Sequence, residues 1–409
     1  MIVASNGLVW DKGALSRITG LAGKVLVMIG CSFFSVGLGE GGVLATLSGW
    51  SFVLGAFAMA MSYAIWLTRT SLPGEIEARA DDIVVRRGGG QRVVKKKNIA
   101  SAYVVNRTIG GVDYPTVEIE LRSGTVLAAR MREAKPAHEL VAALGFGPGG
   151  KRVRVSLARP TRRLLNPFVG SFAYVIGSMF ATLTIGVAGA FGSQAGGTTF
   201  ATWLLFIATL SIAASYALLK RVFAAPVIEI GNDGVVVRTG LRAIRVAKNE
   251  LNAVTYRSFG MPVVLERKNG KDIGVNAVIV DDERKEAVAR VADERLFSTS
   301  SPPDRAAAFE RAGRDVGAWR AQLRTALDGG YRAAGASVDD AAAVLASSAA
   351  SSEQRIGAAL ALRIAGEPPD RVRVAAEGAI DPRMRVALEA IADDADDVRV
   401  ERALKRLRR

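Results

Sequence analysis

Ile76-Glu-Ala-Arg-Ala-Asp-Asp-Ile-Val-Val-Arg-Arg-Gly88 recurs 152 residues later as Ile228-Glu-Ile-Gly-Asn-Asp-Gly-Val-Val-Val-Arg-Thr-Gly240, with seven of thirteen positions identical. The same offset carries Leu67 onto Leu219 and Ile99 onto Leu251, so one unit occurs twice in the chain. In both copies a turn-forming Asp precedes a β-branched run, Ile83-Val-Val and Val235-Val-Val, which reads as turn followed by strand. Val117, Ile119 and Leu121 alternate with Glu118, Glu120 and Arg122, the period of a half-buried antiparallel strand. Ser123-Gly124 and Asn269-Gly270 supply tight turns, and helical stretches at Ala137 to Leu144 and Glu283 to Phe297 close the two copies. Strands first and one helix last predict a small curved sheet or partly open barrel in each copy.

An apolar block lies ahead of each repeated motif. Between Lys24 and Arg69 only Glu40 is charged, and between Arg163 and Lys220 nothing is. A membrane helix needs about 20 apolar residues, so each block has room for two, divided at the Gly-rich stretches Gly37 to Gly42 and Gly192 to Thr199. Four spans are expected near 18–39, 43–67, 168–191 and 200–219, the first reaching full length when Lys24 extends its amine to the headgroups. Lys12, Arg17, Lys24, Arg69, Arg162, Arg163, Lys220 and Arg221 flank the spans, and neither hairpin loop holds a Lys or Arg. That asymmetry places both termini and every extramembrane segment on the cytoplasmic side of an inner membrane. A mean hydropathy of +0.22 in a chain that is 23% charged requires such segregation. Met28-Ile-Gly-Cys31 faintly resembles a lipoprotein cleavage box, but the apolar run continues past Cys31, so the cysteine reads as part of a retained span.

Asp81 to Gly88, Lys97-Asn-Ile-Ala100, Glu118-Ile-Glu-Leu-Arg-Ser-Gly124 and the closing helix, with their counterparts in the second copy, carry a family resemblance. The chain over 18–299 resembles bacterial pleckstrin-homology-like (PH-like) proteins in which a membrane hairpin precedes a PH-like domain. The resemblance implies a seven-stranded sheet with a C-terminal helix and a role in assembly or recognition at the membrane. It brings no matched set of lipid-contacting residues.

Ser298 to Pro303 reads as a linker, beyond which Ala and Arg dominate. Phe309, Ala312, Val316, Trp319, Leu323 and Leu327 fall on one helical face. Further helices are expected near 338–349, 353–365, 370–380, 383–392 and 398–408, and Asp381 to Ala392 is similar to one helix of a HEAT-like repeat, although the repeats here are shorter and irregular. The expected fold is therefore membrane α-helical plus α+β: four transmembrane helices, two PH-like sheets each closed by a helix, and an all-α C-terminal domain. Its parts are an N-terminal cytoplasmic segment 1–17, transmembrane hairpin 18–67, PH-like domain 69–150, basic linker 151–165, second hairpin 166–219, second PH-like domain 220–299 and helical domain 300–409.

The net charge is +15, and residues 69–163 hold 19 Lys and Arg against nine Asp and Glu. Lys95, Lys96, Lys97, Lys151, Arg152, Arg154, Arg159, Arg162 and Arg163 are the candidate contacts for anionic lipid or an acidic partner. Nucleic acid would use the same electrostatics, but no helix-turn-helix or aromatic stacking platform accompanies the charge, and it is not expected as a partner. One His and one Cys exclude an internal disulfide framework and a Cys/His zinc site within the chain.

Gly145-Phe-Gly-Pro-Gly-Gly-Lys151 has the spacing of a phosphate loop. A helix precedes it, however, and Arg152 stands where a Ser or Thr would hold magnesium, so it reads as a helix cap and flexible linker. His138 has no second histidine or nucleophile at a useful spacing, and Asp81-Asp82 and Asp281-Asp282 sit where Asp satisfies free amides. Spans without interior charge argue against ion-coupled transport. The expectation is a non-catalytic, cofactor-free and metal-free multi-pass membrane scaffold that presents two PH-like modules and binds an unidentified cytoplasmic protein partner through 300–409, with homo-oligomerisation open. The alternative is a small-solute channel or transporter built on the tandem repeat.

Overall fold

The computed structural model describes residues 2–10, 54, 57, 72–123, 125–157, 226–239, 242–256, 262–275, 282–297, 305–328, 336–394 and 396–407. They belong, Trp10, Leu54 and Phe57 apart, to one compact unit of Met1–Val9, Ser71–Leu157 and Pro226–Arg409. Trp10–Thr70 and Ala158–Ala225 fall in a separate unit.

The first module is a seven-stranded sheet made of β1 (Ile2–Trp10), β2 (Leu72–Ala78), β3 (Asp82–Arg87), β4 (Gly90–Lys95), β5 (Ile99–Ile109), β6 (Val112–Leu121) and β7 (Val126–Arg130). Its order is β4-β3-β2-β1-β7-β6-β5, so the N-terminal strand joins the two halves. Ile76, Ile83, Val85, Ile119, Leu127, Met131 and Leu140 are buried in it, each contributing about 1.5–3 kcal/mol through removal from water. Helix α1 (Ala134–Ala143) packs on β5 and β6 through Ala137, Leu140 and Val141.

In the second copy β8 (Val153–Ser156), β9 (Val227–Ile230), β10 (Gly234–Thr239) and β11 (Arg242–Ala247) form a four-stranded sheet of order β11-β10-β9-β8. A three-stranded sheet follows, β12 (Leu251–Tyr256), β13 (Val263–Arg267) and β14 (Ile273–Val275), and then α2 (Asp282–Ala292), continued by a π-helical turn at Asp293–Phe297.

The duplication is visible as register. Val3 pairs with Ile76 where Val155 pairs with Ile228, Ile76 with Val85 where Ile228 pairs with Val237, and Val85 with Arg92 where Val237 pairs with Ile244. These four positions and their counterparts keep the 152-residue offset. After β5 and β12 the offset falls to 146: Val104 opposite Val117 becomes Tyr256 opposite Val263, and Ile119 opposite Leu127 becomes Leu265 opposite Ile273. The β5–β6 hairpin is thus the longer one.

Each copy begins with a strand that precedes its apolar block in the chain. The block is an excursion between paired strands, leaving and re-entering beside Leu8–Leu72 in the first copy and Ser156–Val227 in the second, where the Leu157 amide also donates to the Pro226 carbonyl at 3.0 Å.

The membrane reading of those blocks is corrected. Among the described residues no helix is long and apolar enough to cross a membrane. Among the described residues the longest α-helices, of 13 residues, extend only about 20 Å against roughly 30 Å of hydrocarbon. The four transmembrane helices, the multi-pass arrangement and the inner-membrane localisation with cytoplasmic termini are withdrawn on that finding. An apolar run meets only the compositional condition for a span, which also requires one unbroken helix. The stretches 18–39, 43–67, 168–191 and 200–219, with Cys31 and both Gly-rich turns, lie outside the described residues except Leu54 and Phe57, which are helical and exposed.

The C-terminal part is helical. A 3-10 turn at Ala306–Phe309 precedes α3 (Val316–Asp328), α4 (Val338–Ala346), α5 (Ser352–Ile364), α6 (Asp370–Gly378), α7 (Pro382–Ala392) and α8 (Asp397–Leu407). They share one core containing Phe309, Trp319, Leu323, Ile356, Leu360 and Leu388. Reciprocal capping boxes start α4 (Ser337 with Asp340) and α5 (Ser351 with Gln354), and Asp381 caps α7 with Pro382 in its first turn.

The expected helical face running from Phe309 does not form as one helix. Ala312 and Gly313 adopt φ of 48° and 82°, and the chain restarts where Asp315 accepts from the Ala318 amide at 2.7 Å. Ser298 to Pro303 lies outside the described residues.

Candidate interaction site

The two β modules meet over a face of β6 that the alternation assigned to solvent. Glu118 is 2% exposed, directly opposite Tyr103 in the β5–β6 ladder. It accepts from the Tyr103 hydroxyl at 2.9 Å and from Arg284 of α2 at 2.7 Å, and pairs with Arg107, which in turn pairs with Glu283 of α2. Burial alone would raise the Glu118 pKa, but Arg284 and then Arg107, with their hydrogen bonds, hold it below the ordinary carboxylate value. Burial and the neighbouring carboxylate push the Tyr103 phenol well upward. Arg284 also donates to the Ser156 carbonyl at 2.9 Å, and the Arg154 amide donates to Ser101 Oγ at 2.8 Å, which stitches β8 to the first module.

The helical part docks on the β9–β10 turn. Asp233, the counterpart of Asp81 in the repeat, accepts the Ile380 and Asp381 amides at 2.6 and 2.7 Å. Gly231 lies so close to Gly378 that a Cβ would stand 2.4 Å from its carbonyl oxygen. Lys248 Nζ donates to the Ser348 carbonyl at 2.8 Å.

Gly145 to Lys151 does terminate α1: Gly145 has φ of 85° and the Phe146 amide returns to the Val141 carbonyl at 3.0 Å. It is not a free linker. Gly149 is wedged against Ala346 of α4, and Arg295 holds the Phe146 and Gly147 carbonyls.

These contacts leave a charged cleft of about 550 Å³ to which all three parts contribute. Arg122 comes from the first module, Lys151 and Arg152 from the connector, Arg154 of β8 and Glu229 of β9 from the second module, and Arg385 from α7. Lys151 pairs with Glu377 at 2.9 Å, and Arg152 with Glu229 at 3.4 Å, an acid also held by Arg238 at 3.0 Å. Burial lowers the Arg152 pKa against the pull of Glu229, and Arg385, Arg238 and Arg154 lower it further by like-charge repulsion. Arg122 and Arg154 are exposed.

Of the nine basic residues singled out in the sequence, Lys151, Arg152 and Arg154 thus converge, and they do so with Arg122 and Arg385, which no local run of charge announced. Lys95 and Lys97 are exposed and do not line the cleft. Lys96 lies between them in the chain but is engaged with α1: its Nζ donates to the Ala143 carbonyl at 2.9 Å, in keeping with a cation at a helix C-terminus, and burial lowers its pKa. Arg159, Arg162 and Arg163 lie outside the described residues. His138 is exposed on α1, and among the described residues no group of three His, Cys, Asp or Glu side chains could hold a metal ion. Neither a protein-family model nor a curated protein matches the chain.

Proposed function

We propose that the protein is a non-catalytic interaction scaffold in which two PH-like modules and a helical domain act as one platform for a protein partner. The observation that carries this reading is the shared cleft: a single surface draws Arg122, Lys151, Arg152, Arg154 and Arg385 from three parts of the chain. Lys151 and Arg152 already hold carboxylates there, whereas Arg122 and Arg154 are exposed, so an acidic surface on a partner has guanidiniums to meet at the rim. The seven-stranded sheet followed by a helix, and its repetition in register, support the PH-like reading of the modules. The short capped helices around one core support the assignment of 300–409 to protein contact.

The test places a photo-reactive residue at the exposed Val386 of α7 in the intact chain. A discrete protein adduct is expected, lost when Arg122 and Arg154 are both changed to Glu while thermal unfolding is unaltered. The absence of a discrete adduct, or an adduct indifferent to charge reversal, overturns the proposal.

A further inference from the structure

β4 and β11 end their sheets, each with a neighbour on one side only, β3 and β10. They are counterparts in the repeat, Gln91 to Lys95 standing 152 residues before Ala243 to Ala247. Every residue of β4 but Val94 is exposed, and so is Arg242 to Ile244 with Arg245 in β11, which leaves both strands open to solvent.

Hydrogen-bond parity identifies the backbone groups these edges leave unused. The Arg79 amide donates to the Asp82 carbonyl at 2.9 Å and closes the β2–β3 turn, so Asp82, Val84 and Arg86 turn their amides and carbonyls toward β2. Ile83, Val85 and Arg87 then serve β4, where they meet Val94, Arg92 and Gly90. Gln91 and Val93 lie between those positions and direct their N–H and C=O groups away from the sheet. In the second copy the Gly231 amide donates to the Gly234 carbonyl at 3.0 Å, and the same alternation aims Ala243 and Arg245 outward. Among the described residues the backbone groups of these four have no partner.

Charge decides what can pair there. Neither strand contains an acid, and each carries two cations three residues apart, Arg92 with Lys95 and Arg242 with Arg245. Among the described residues Lys95, Arg242 and Arg245 enter no ion pair; Asp82 stands across the ladder from Lys95 without closing one. The other acids nearby are engaged, Glu75 and Glu77 with Arg86, and Glu229 with Arg238. A second copy of either strand would set cations against cations, whereas an extended acidic segment answers the charge and satisfies the open backbone.

We propose that β4 and β11 each accept an extended acidic segment of a partner protein as an added strand. This site is separate from the cleft and does not depend on the scaffold reading. The test titrates the intact protein at low salt with the end-capped peptide Thr-Glu-Thr-Val-Glu-Val-Thr, whose carboxylates repeat the spacing of the cations, and with the same peptide carrying Lys for Glu.

Saturable binding of two acidic peptides per chain is expected, at least about tenfold tighter than the Lys peptide and weakening as salt is raised. N-methylation of alternate peptide residues blocks one side of the added strand, so one phase abolishes binding and the other leaves it. Val93→Pro and Ala243→Pro each remove an outward amide that the ladder does not use and keep every cation. Each halves the stoichiometry, and together they abolish binding with thermal unfolding unaltered. No saturable binding, equal binding of the Lys peptide, indifference to the phase of N-methylation, or binding retained by the double proline variant each overturns the proposal. So does a dimer of the wild-type chain that Val93→Pro dissolves, which would assign the edge to a second copy. The N-methylated peptides decide the matter on the wild-type chain even if a proline variant fails to fold.

Discussion

Glu118 is the side chain on which the two β modules turn, because it answers two guanidiniums and a phenol in a site closed to water. Glu118→Gln keeps its shape and removes its charge, leaving Arg284 buried without its carboxylate; a loss of about 3–5 kcal/mol is expected in urea denaturation. The pH dependence should change with it. Glu118 has a folded pKa below its unfolded value of 4.5, so the stability it supplies is present above that value and is lost as pH falls through the folded one. The wild-type chain should therefore weaken more steeply than Glu118→Gln on going below pH 4.5, and equal acid slopes would remove Glu118 from that role. Nothing near Glu118 announces this. Val117, Ile119 and Leu121 correctly mark one buried face of β6, but the surface covering the other face comes from α2, 166 residues further along, and period-two alternation carries no information about a second layer.

At the scale of the element, the C-terminal helices show what local chemistry does encode. Ser337, Ser351 and Asp381 each stand at a helix start because their oxygens satisfy amides with no partner inside the helix, so boundaries were legible to within a few residues. Ser351→Ala should cost about 1 kcal/mol in thermal unfolding by removing one such acceptor. The misread face at Phe309 and Ala312 followed from spacing alone: three-and-four spacing holds whether or not the backbone stays helical, and Ala312 and Gly313 turn it away. Within α5, Gly357 reads as a weak point in a helix and is instead a contact. A Cβ there would lie 2.0 Å from the Phe309 carbonyl oxygen and 2.7 Å from Trp319 Cζ2, and backbone cannot move aside as a side-chain tip can. Gly357→Ala, which propensity alone would make stabilising, should lose about 1–3 kcal/mol in denaturant unfolding, and a gain would show that α5 can slide away from the 3-10 turn.

At the scale of the whole chain, the sequence displayed the duplication but hid where each copy starts. Identity is dense from Ile76 and Ile228 onward and the offset reaches back to Leu67 and Leu219, whereas β1 and β8 share only their pairing positions, Val3 to Ile76 and Val155 to Ile228, and lie across an apolar block from the rest of their sheets. Strand pairing then has a consequence for folding. Since Leu8 faces Leu72 and the Leu157 amide reaches the Pro226 carbonyl at 3.0 Å, the two ends of each excursion are already as close as the ends of a hairpin turn. Closing a loop costs more as it lengthens, by about 0.6 kcal/mol per doubling, so a short turn asks less of the chain than the excursion it replaces. A chain in which 11–70 and 159–225 are each replaced by a four-residue Asn-Gly turn sequence should keep β1 between β2 and β7 and β8 beside β9, with amide exchange at Val3 and Val155 as slow as in the intact protein. Rapid exchange at those two positions, with the helical core around Trp319 still protected, would show that β1 and β8 are held by the excursions and not by the sheets they enter.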